Sequence, residues 1–269
     1  MFVDIECDTY NIDTSKIEKA LTKKTTAIMP VHVYGNPCNH KEISDIANKY
    51  NLSVIYDAAH SFGVKQNNTS IVNFGDLSCL SFHATKAYST IEGGAIVSHD
   101  SSMKKKIDNL KNFGIISETE IIEPGLNGKL NELQAAYGLA NLTIIDNAIE
   151  RRKVVAAKYD EAFYSRSGII TAKKRSDIKY NYSYYPIIIE KEKYGMSRDD
   201  LYFKLKENKI FSRRYFYPLI SDLPMYKNLP SANSNNLPVA KKVSDSILCL
   251  PIHHDLTDYE IERVTKHIL

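Results

Sequence analysis

The chain has 269 residues, 43% hydrophobic and 25% charged, which suits one or two ordinary domains with a sizeable core and excludes a disordered protein. With 35 Lys and Arg against 32 Asp and Glu the formal charge is +3, and no long basic run prepares a surface for nucleic acid. No stretch approaches about 18 unbroken apolar residues, and the opening MFVDIECDTY has acids where a signal peptide is basic and then apolar, so a cytoplasmic protein without a membrane span is expected.

In chain order, 27–33 (AIMPVHV) reads as a buried strand, followed by turn chemistry at 34–38 (YGNPC). Asn39 with Glu42 three residues on predicts a capped helix running to about Tyr50. The run 52–56 (LSVIY) predicts a strand ending at Asp57, and 77–82 (LSCLSF) another, which leads into His83-Ala84-Thr85-Lys86. A strand is expected at 95–98 after the Gly93-Gly94 pair, then a basic helix around 103–112. From Leu130 to about Tyr164 the spacing of Leu133, Tyr137, Leu142, Ile145 and Ile149 predicts one or two long helices able to bridge two domains. Beyond Ser165 come Tyr-rich strands (180–189), a helix near 198–208, a Pro-, Ser- and Asn-rich loop at 223–239, a strand at 247–252 and a closing helix over 257–268. This alternation defines an α/β large domain with a mostly parallel sheet over 1–150, and a smaller α+β domain with its bridging helix over 151–269.

Open α/β sheets collect ligands at the carboxyl ends of their strands. Asp57 and His60 leave one strand end, Ser81 ends the next and Lys86 lies just beyond, so a carboxylate, an imidazole, a hydroxyl and an amine share one rim. Pyridoxal phosphate needs such a set: an amine to form a Schiff base with its aldehyde, an acid facing the pyridine nitrogen, and hydroxyl and N–H donors for its phosphate. Taken singly these residues have plainer uses. Asp57 suits a turn cap, Ser81 a buried hydroxyl bonded to backbone, and Lys86 an ordinary solvated lysine.

The segments FVDIECDTYNID, PVHVYGNP, VIYDAAHSFG, SFHATKAYSTIEGGAI and LNGKLNELQAA, with FSRRYFYP and ILCLPIHHDLT more loosely, span almost the whole chain. Together they resemble the DegT/DnrJ/StrS-like sugar aminotransferases, of the type I, aspartate aminotransferase-like fold. SFHATK followed by EGGA is most similar to members acting on dTDP-linked keto-deoxyhexoses. The resemblance implies that Lys86 is the lysine joined to the cofactor, Asp57 the partner of the pyridinium nitrogen, Ser81 a phosphate ligand and His60 a neighbour of the ring. It implies that Asn127 reaches the phosphate of the neighbouring subunit's cofactor, which makes the expected active sites shared across a homodimer. The implied reaction takes an amino group from an amino acid, glutamate, and gives it to a nucleotide-linked ketosugar in amino-sugar and polysaccharide biosynthesis. The Lys86 amine must be neutral for part of that cycle, so burial or a nearby cation is expected to lower its pKa.

Relatives carry a substantial segment before the strand that FVDI matches, with a Gly-Thr loop for the cofactor phosphate; here Met1 begins almost inside that strand. An N-terminally shortened transaminase is therefore expected, the alternative being a catalytically impaired remnant that only dimerises or binds ligand. Relatives that dehydrate the sugar have histidine in place of the lysine, whereas position 86 is Lys. Lys129 stands where many relatives have Arg, and it lacks the bidentate fork. No Gly-x-Gly-x-x-Gly follows a predicted strand, and no metal site is expected from His83, His253 and His254, which lack ligand spacing. The scattered Cys7, Cys38, Cys79 and Cys249 read as buried thiols.

Overall fold

A computed structural model describes residues 1–269. The first half is built on a four-stranded sheet: β1 (Ala27–Ile28), β2 (Ser53–Asp57), β3 (Leu77–Ser81) and β4 (Gly94–Ser98), adjacent in that order. β1, β2 and β3 are parallel and β4 is antiparallel to β3. The sheet is thus mostly parallel, as expected. β2 and β3 end at the same rim, with Asp57 in register with Cys79.

The strand expected over 27–33 stops after Ile28. Pro30 has no N–H for the ladder, and the chain returns to β2 only through the isolated bridge of Val31 with Asp57. Helix α1 (His40–Tyr50) fills the crossover to β2; Asn39 caps it by accepting from the Glu42 amide at 3.3 Å, and Ile43 and Ala47 bury its inner face. Helix α2 (Ser101–Leu110) begins two residues earlier than its apolar pattern suggests, because Asp100 accepts from the amides of Ser102 and Met103.

The long helical stretch is two helices, α3 (Glu132–Leu142) and α4 (Ile145–Phe163). They part at Thr143, whose hydroxyl donates back to the Ala140 carbonyl at 2.7 Å. The break splits the apolar stripe. Leu133, Tyr137 and Leu142 are exposed, whereas Ile145 and Ile149 are buried. α4 then joins two cores, with Ile145, Ala148 and Ile149 on Tyr88, and Val155, Tyr159 and Phe163 in the larger cluster beyond. Between them Arg152 is buried and donates to the Ile252 carbonyl at 2.9 Å.

That larger cluster lies under an antiparallel sheet of β5 (Ile169–Thr171), β6 (Tyr185–Ile189) and β7 (Ile247–Leu250), with β6 central. α4, α5 (Arg198–Glu207) and α7 (Asp258–Ile268) contribute the other side chains. Tyr159, Ile187, Leu201 and Leu205 are wholly buried there, each worth about 1.5–3 kcal/mol of transfer free energy. β6 starts five residues later than the Tyr-rich run suggests, because Tyr182 has φ of 50° and the Asn181 side chain bonds outside the sheet. An unexpected helix, α6 (Pro238–Ser246), begins within the last two residues of the loop expected over 223–239. Its cap comes from the other end of the chain: buried Asp4 accepts from the amides of Ala240 at 2.9 Å and Val239 at 3.3 Å. Burial alone would raise the Asp4 carboxyl, but the Ala240 amide, Lys16 and the amides of Ile5 and Val239 outweigh it and hold it below the usual range.

Candidate active site

The rim is set by the chain leaving β2. The Asp57 carboxylate accepts from the Ala59 amide at 3.0 Å, and the Ala58 amide donates to the Cys79 carbonyl of β3 at 2.9 Å. The following turn, closed by the Ser61 amide on the Ala58 carbonyl, carries His60 inward to a buried position. His60 Nδ1 accepts from the Tyr34 amide at 3.2 Å, which fixes the neutral ring's proton on Nε2. Its ring lies parallel to Phe216 at 5.4 Å and meets Tyr184 edge-on at 4.8 Å. Burial pushes the imidazole down to about 3, and the charge of Lys86 adds to the effect. His60 is neutral at physiological pH.

Lys86 sits in the turn beyond β3, its amide donating to the His83 carbonyl at 2.9 Å. The side chain is half-buried and Nζ donates to Tyr184 Oη at 3.3 Å. Partial burial lowers its pKa below the usual lysine value, and the Asp57 charge offsets only part of that. Ser81, the last residue of β3, is half-buried and its Oγ accepts from the His83 amide at 3.4 Å. Asp57, His60, Ser81 and Lys86 therefore share one rim. Asn127 is placed differently: it is exposed, it bridges Asn112, and its flanks hang on the end of α2 through Leu126 to Leu110 and Gly128 to Lys111, both 2.8 Å.

Three partners of this rim escape the sequence reading. Tyr34 and Phe216 flank His60, and Tyr184 meets both His60 and Lys86. Asn181 pins the Tyr184 segment down, donating to the carbonyls of His60 at 2.8 Å and Phe62 at 2.9 Å. The visible signal was the content of 18 tyrosines and the run Asn-Tyr-Ser-Tyr-Tyr at 181–185, but only folding brings that run to the rim. His83, by contrast, is exposed beside Glu92, and no group of three or more His, Cys, Asp or Glu side chains gathers to hold a metal.

A mostly parallel sheet with an amine, a carboxylate and a neutral imidazole at its strand ends is the arrangement of a type I pyridoxal-phosphate enzyme, and the donor set fits that cofactor: a deprotonatable amine, a carboxylate, a flat ring and a hydroxyl. The chain belongs to the DegT/DnrJ/EryC1/StrS aminotransferase family, whose profile matches residues 1–269. It is 46% identical over 270 residues to the dTDP-4-amino-4,6-dideoxy-D-glucose transaminase of Escherichia coli, covering 100% of this chain and 72% of that one. It is 30% identical over 281 residues to the spore coat polysaccharide biosynthesis protein SpsC of Bacillus subtilis, with the same coverage. Among solved structures, DesI in the presence of its TDP-sugar product superposes with a TM-score of 0.94 at 31% identity, over 100% of this chain and 68% of that one. The PLP-form of the putative sugar aminotransferase Spr1654 from Streptococcus pneumoniae gives 0.89 at 26% identity, over 100% and 76%. The chain is thus an aminotransferase of a pyridoxal-phosphate-dependent family.

Proposed function

We propose that the protein transfers the amino group of an amino acid, L-glutamate, to a nucleotide-linked keto-deoxyhexose, with dTDP as the nucleotide, in cytoplasmic amino-sugar biosynthesis. The observation that carries this reading is the half-buried Lys86 amine, lowered in pKa and held beside Asp57 and His60, in a chain 46% identical to a dTDP-sugar transaminase. Lys86, Asp57, His60, Ser81 and Asn127 are the residues assigned to the cofactor. When bound, pyridoxal phosphate supplies an aldehyde that condenses with amines and a ring that accepts electrons. Lys86 Nζ would hold the cofactor's aldehyde and would serve as the base that moves a substrate proton; its lowered pKa keeps a larger neutral fraction available than in a solvated lysine. Asp57 would pair with the ring nitrogen, Ser81 Oγ would donate to the phosphate, and His60, kept neutral by burial, would flank the ring without adding a positive charge.

A second copy of this chain is the proposed partner. α3 offers Leu133 at 84% and Tyr137 at 45% exposure, four residues apart on one face, and Leu126 and Leu130 from the segment that carries Asn127 are exposed as well. An apolar face of this kind on a water-exposed helix is what a homodimer covers, and covering it is the route by which Asn127 reaches the neighbouring site. No helix is long and apolar enough to cross a membrane.

The test is to incubate the protein with pyridoxal phosphate, reduce with borohydride and map the modified peptide. Attachment at Lys86 is expected, together with 2-oxoglutarate formation that requires both glutamate and the dTDP-ketosugar. Attachment at another lysine, or an adduct undiminished in Lys86→Ala, overturns the assignment.

A further inference from the structure

The Lys86 amine is held by a side chain to which neither the family relationship nor the rim assigns a task. Tyr184 Oη lies 3.3 Å from Nζ, and its ring centroid is 5.9 Å from the same atom. The phenol comes from the connection that leads into β6, 98 residues further along the chain than Lys86. That connection is fixed at several points. Asn181 Nδ2 donates to the His60 and Phe62 carbonyls, the Ser183 amide donates to Asn181 Oδ1 at 3.0 Å, and Ser183 Oγ donates to the His60 carbonyl at 3.4 Å. The Tyr184 ring is braced by His60 at 4.8 Å, Tyr34 at 5.7 Å and Tyr215 at 5.8 Å. Its oxygen is thus a fixed acceptor, while Lys86 has a flexible four-carbon stem.

We propose that Tyr184 is a positioning residue for the transfer reaction, its oxygen docking the Lys86 amine at the rim beside Asp57 and His60 instead of leaving it to swing into solvent. The proposal deepens the transaminase reading and rests on it for its use, but the contact itself is independent of any cofactor. A phenolic oxygen binds an ammonium more strongly than a neutral amine, so Tyr184 also retains a proton on Nζ that His60 and burial tend to remove. The groups facing Lys86 are Asp57, His60 and Tyr184. Those facing Tyr184 besides Lys86 are His60, Tyr34, Tyr215, Cys249, Arg152 and Arg213. Of these oxygens the one bonded to Nζ is that of Tyr184, and Tyr184→Phe deletes it while every charge and ring stays in place.

The experiment measures trace acetylation of Lys86 by acetic anhydride across a range of pH, read by peptide mass spectrometry on the full chain without cofactor. Tyr184→Phe keeps the ring and removes the oxygen. Loss of one such hydrogen bond is expected to raise the Lys86 acetylation rate near neutral pH about fivefold, with the pH profile displaced to lower pH. Tyr184→Leu, which also lacks the oxygen, should show the same displacement, and it serves as the second variant if Tyr184→Phe does not fold. Tyr182→Phe, on the same connection, should match the unaltered protein. A Tyr184→Phe profile identical to wild type overturns the proposal. So does a change confined to Tyr184→Leu, because ring packing and not the oxygen would then be responsible. Borohydride capture of the cofactor on the unaltered chain reports separately on the transaminase reading, so either idea can fail without the other.

Discussion

His40 and His32 form a buried aromatic group with Tyr56 and Phe74 beneath the sheet, and they predict how acid destabilises the protein. His40 stacks on Phe74 at 4.0 Å and meets Tyr56 edge-on at 5.1 Å; neither of its ring nitrogens has a hydrogen-bond partner. Burial, and then the Arg175 charge, push its pKa from an ordinary 6.5 to about 4. His40 is also the first residue of α1, where a positive charge opposes the helix dipole. Because the folded pKa lies below the unfolded one, the unfolded chain binds the proton first. Stability is complete above the unfolded pKa of 6.5 and drains away as pH falls through it toward 4. Between about pH 7 and about pH 5 linkage gives a loss of about 2 kcal/mol for this group, a figure that depends little on the folded value as long as it lies below about pH 5. His40→Phe removes the titration, keeps the stack and breaks no hydrogen bond, so its stability near neutral pH should match or exceed that of wild type. Urea unfolding of both proteins at the two pH values is the assay. The variant should lose about 2 kcal/mol less on acidification, a difference of about 1 M in the urea midpoint for a chain of this size. It should still lose stability to His32 and His60, both lowered to about 3. Equal losses in variant and wild type would show that His40 is protonated in the folded protein and would refute the reasoning.

Asp4→Ala should destabilise the protein by about 2–3 kcal/mol, since it removes the acceptor for the Ala240 and Val239 amides and leaves Lys16 with Asp13 as its remaining carboxylate partner; melting temperature and protection of the Ala240 amide from hydrogen exchange are the measurements. The lowered Asp4 carboxyl predicts a further loss in wild type as pH falls below about 4, which the variant should lack. Asn181→Ala should cost about 2–4 kcal/mol through the two buried carbonyls it abandons, and the Tyr184 segment should become more exchangeable in the same hydrogen-exchange experiment. Leu133→Arg, at an exposed position of α3, should leave folding within about 0.5 kcal/mol of wild type, and if the proposed homodimer forms through this face the variant should sediment as monomer where wild type sediments as dimer; a monomeric wild type, or a dimer unchanged by the variant, would refute that interface.

Much of the fold was legible because it rests on local chemistry. Asn39 and Glu42 mark the start of α1, the run 247–250 is apolar throughout, and Thr257 with Glu260 makes the capping box that opens α7. Asp57, His60, Ser81 and Lys86 were legible for the same reason: each lies at or just beyond a strand end in sequence, and parallel strands in register bring their ends to one rim. The sequence alone therefore determined the layered α/β class, the positions of β2, β3, β4 and β7 and the amine, acid and imidazole of the rim. It could not determine α6, whose interior is polar and whose cap, Asp4, is 236 residues away from Ala240. Nor could it show that one apolar stripe would split at Thr143 into an exposed face on α3 and a buried one on α4, or that Tyr184 would reach back to Lys86. Periodicity and capping act over a few residues and are written in them, whereas a hydrogen bond across a hundred residues exists only after both cores have closed around it.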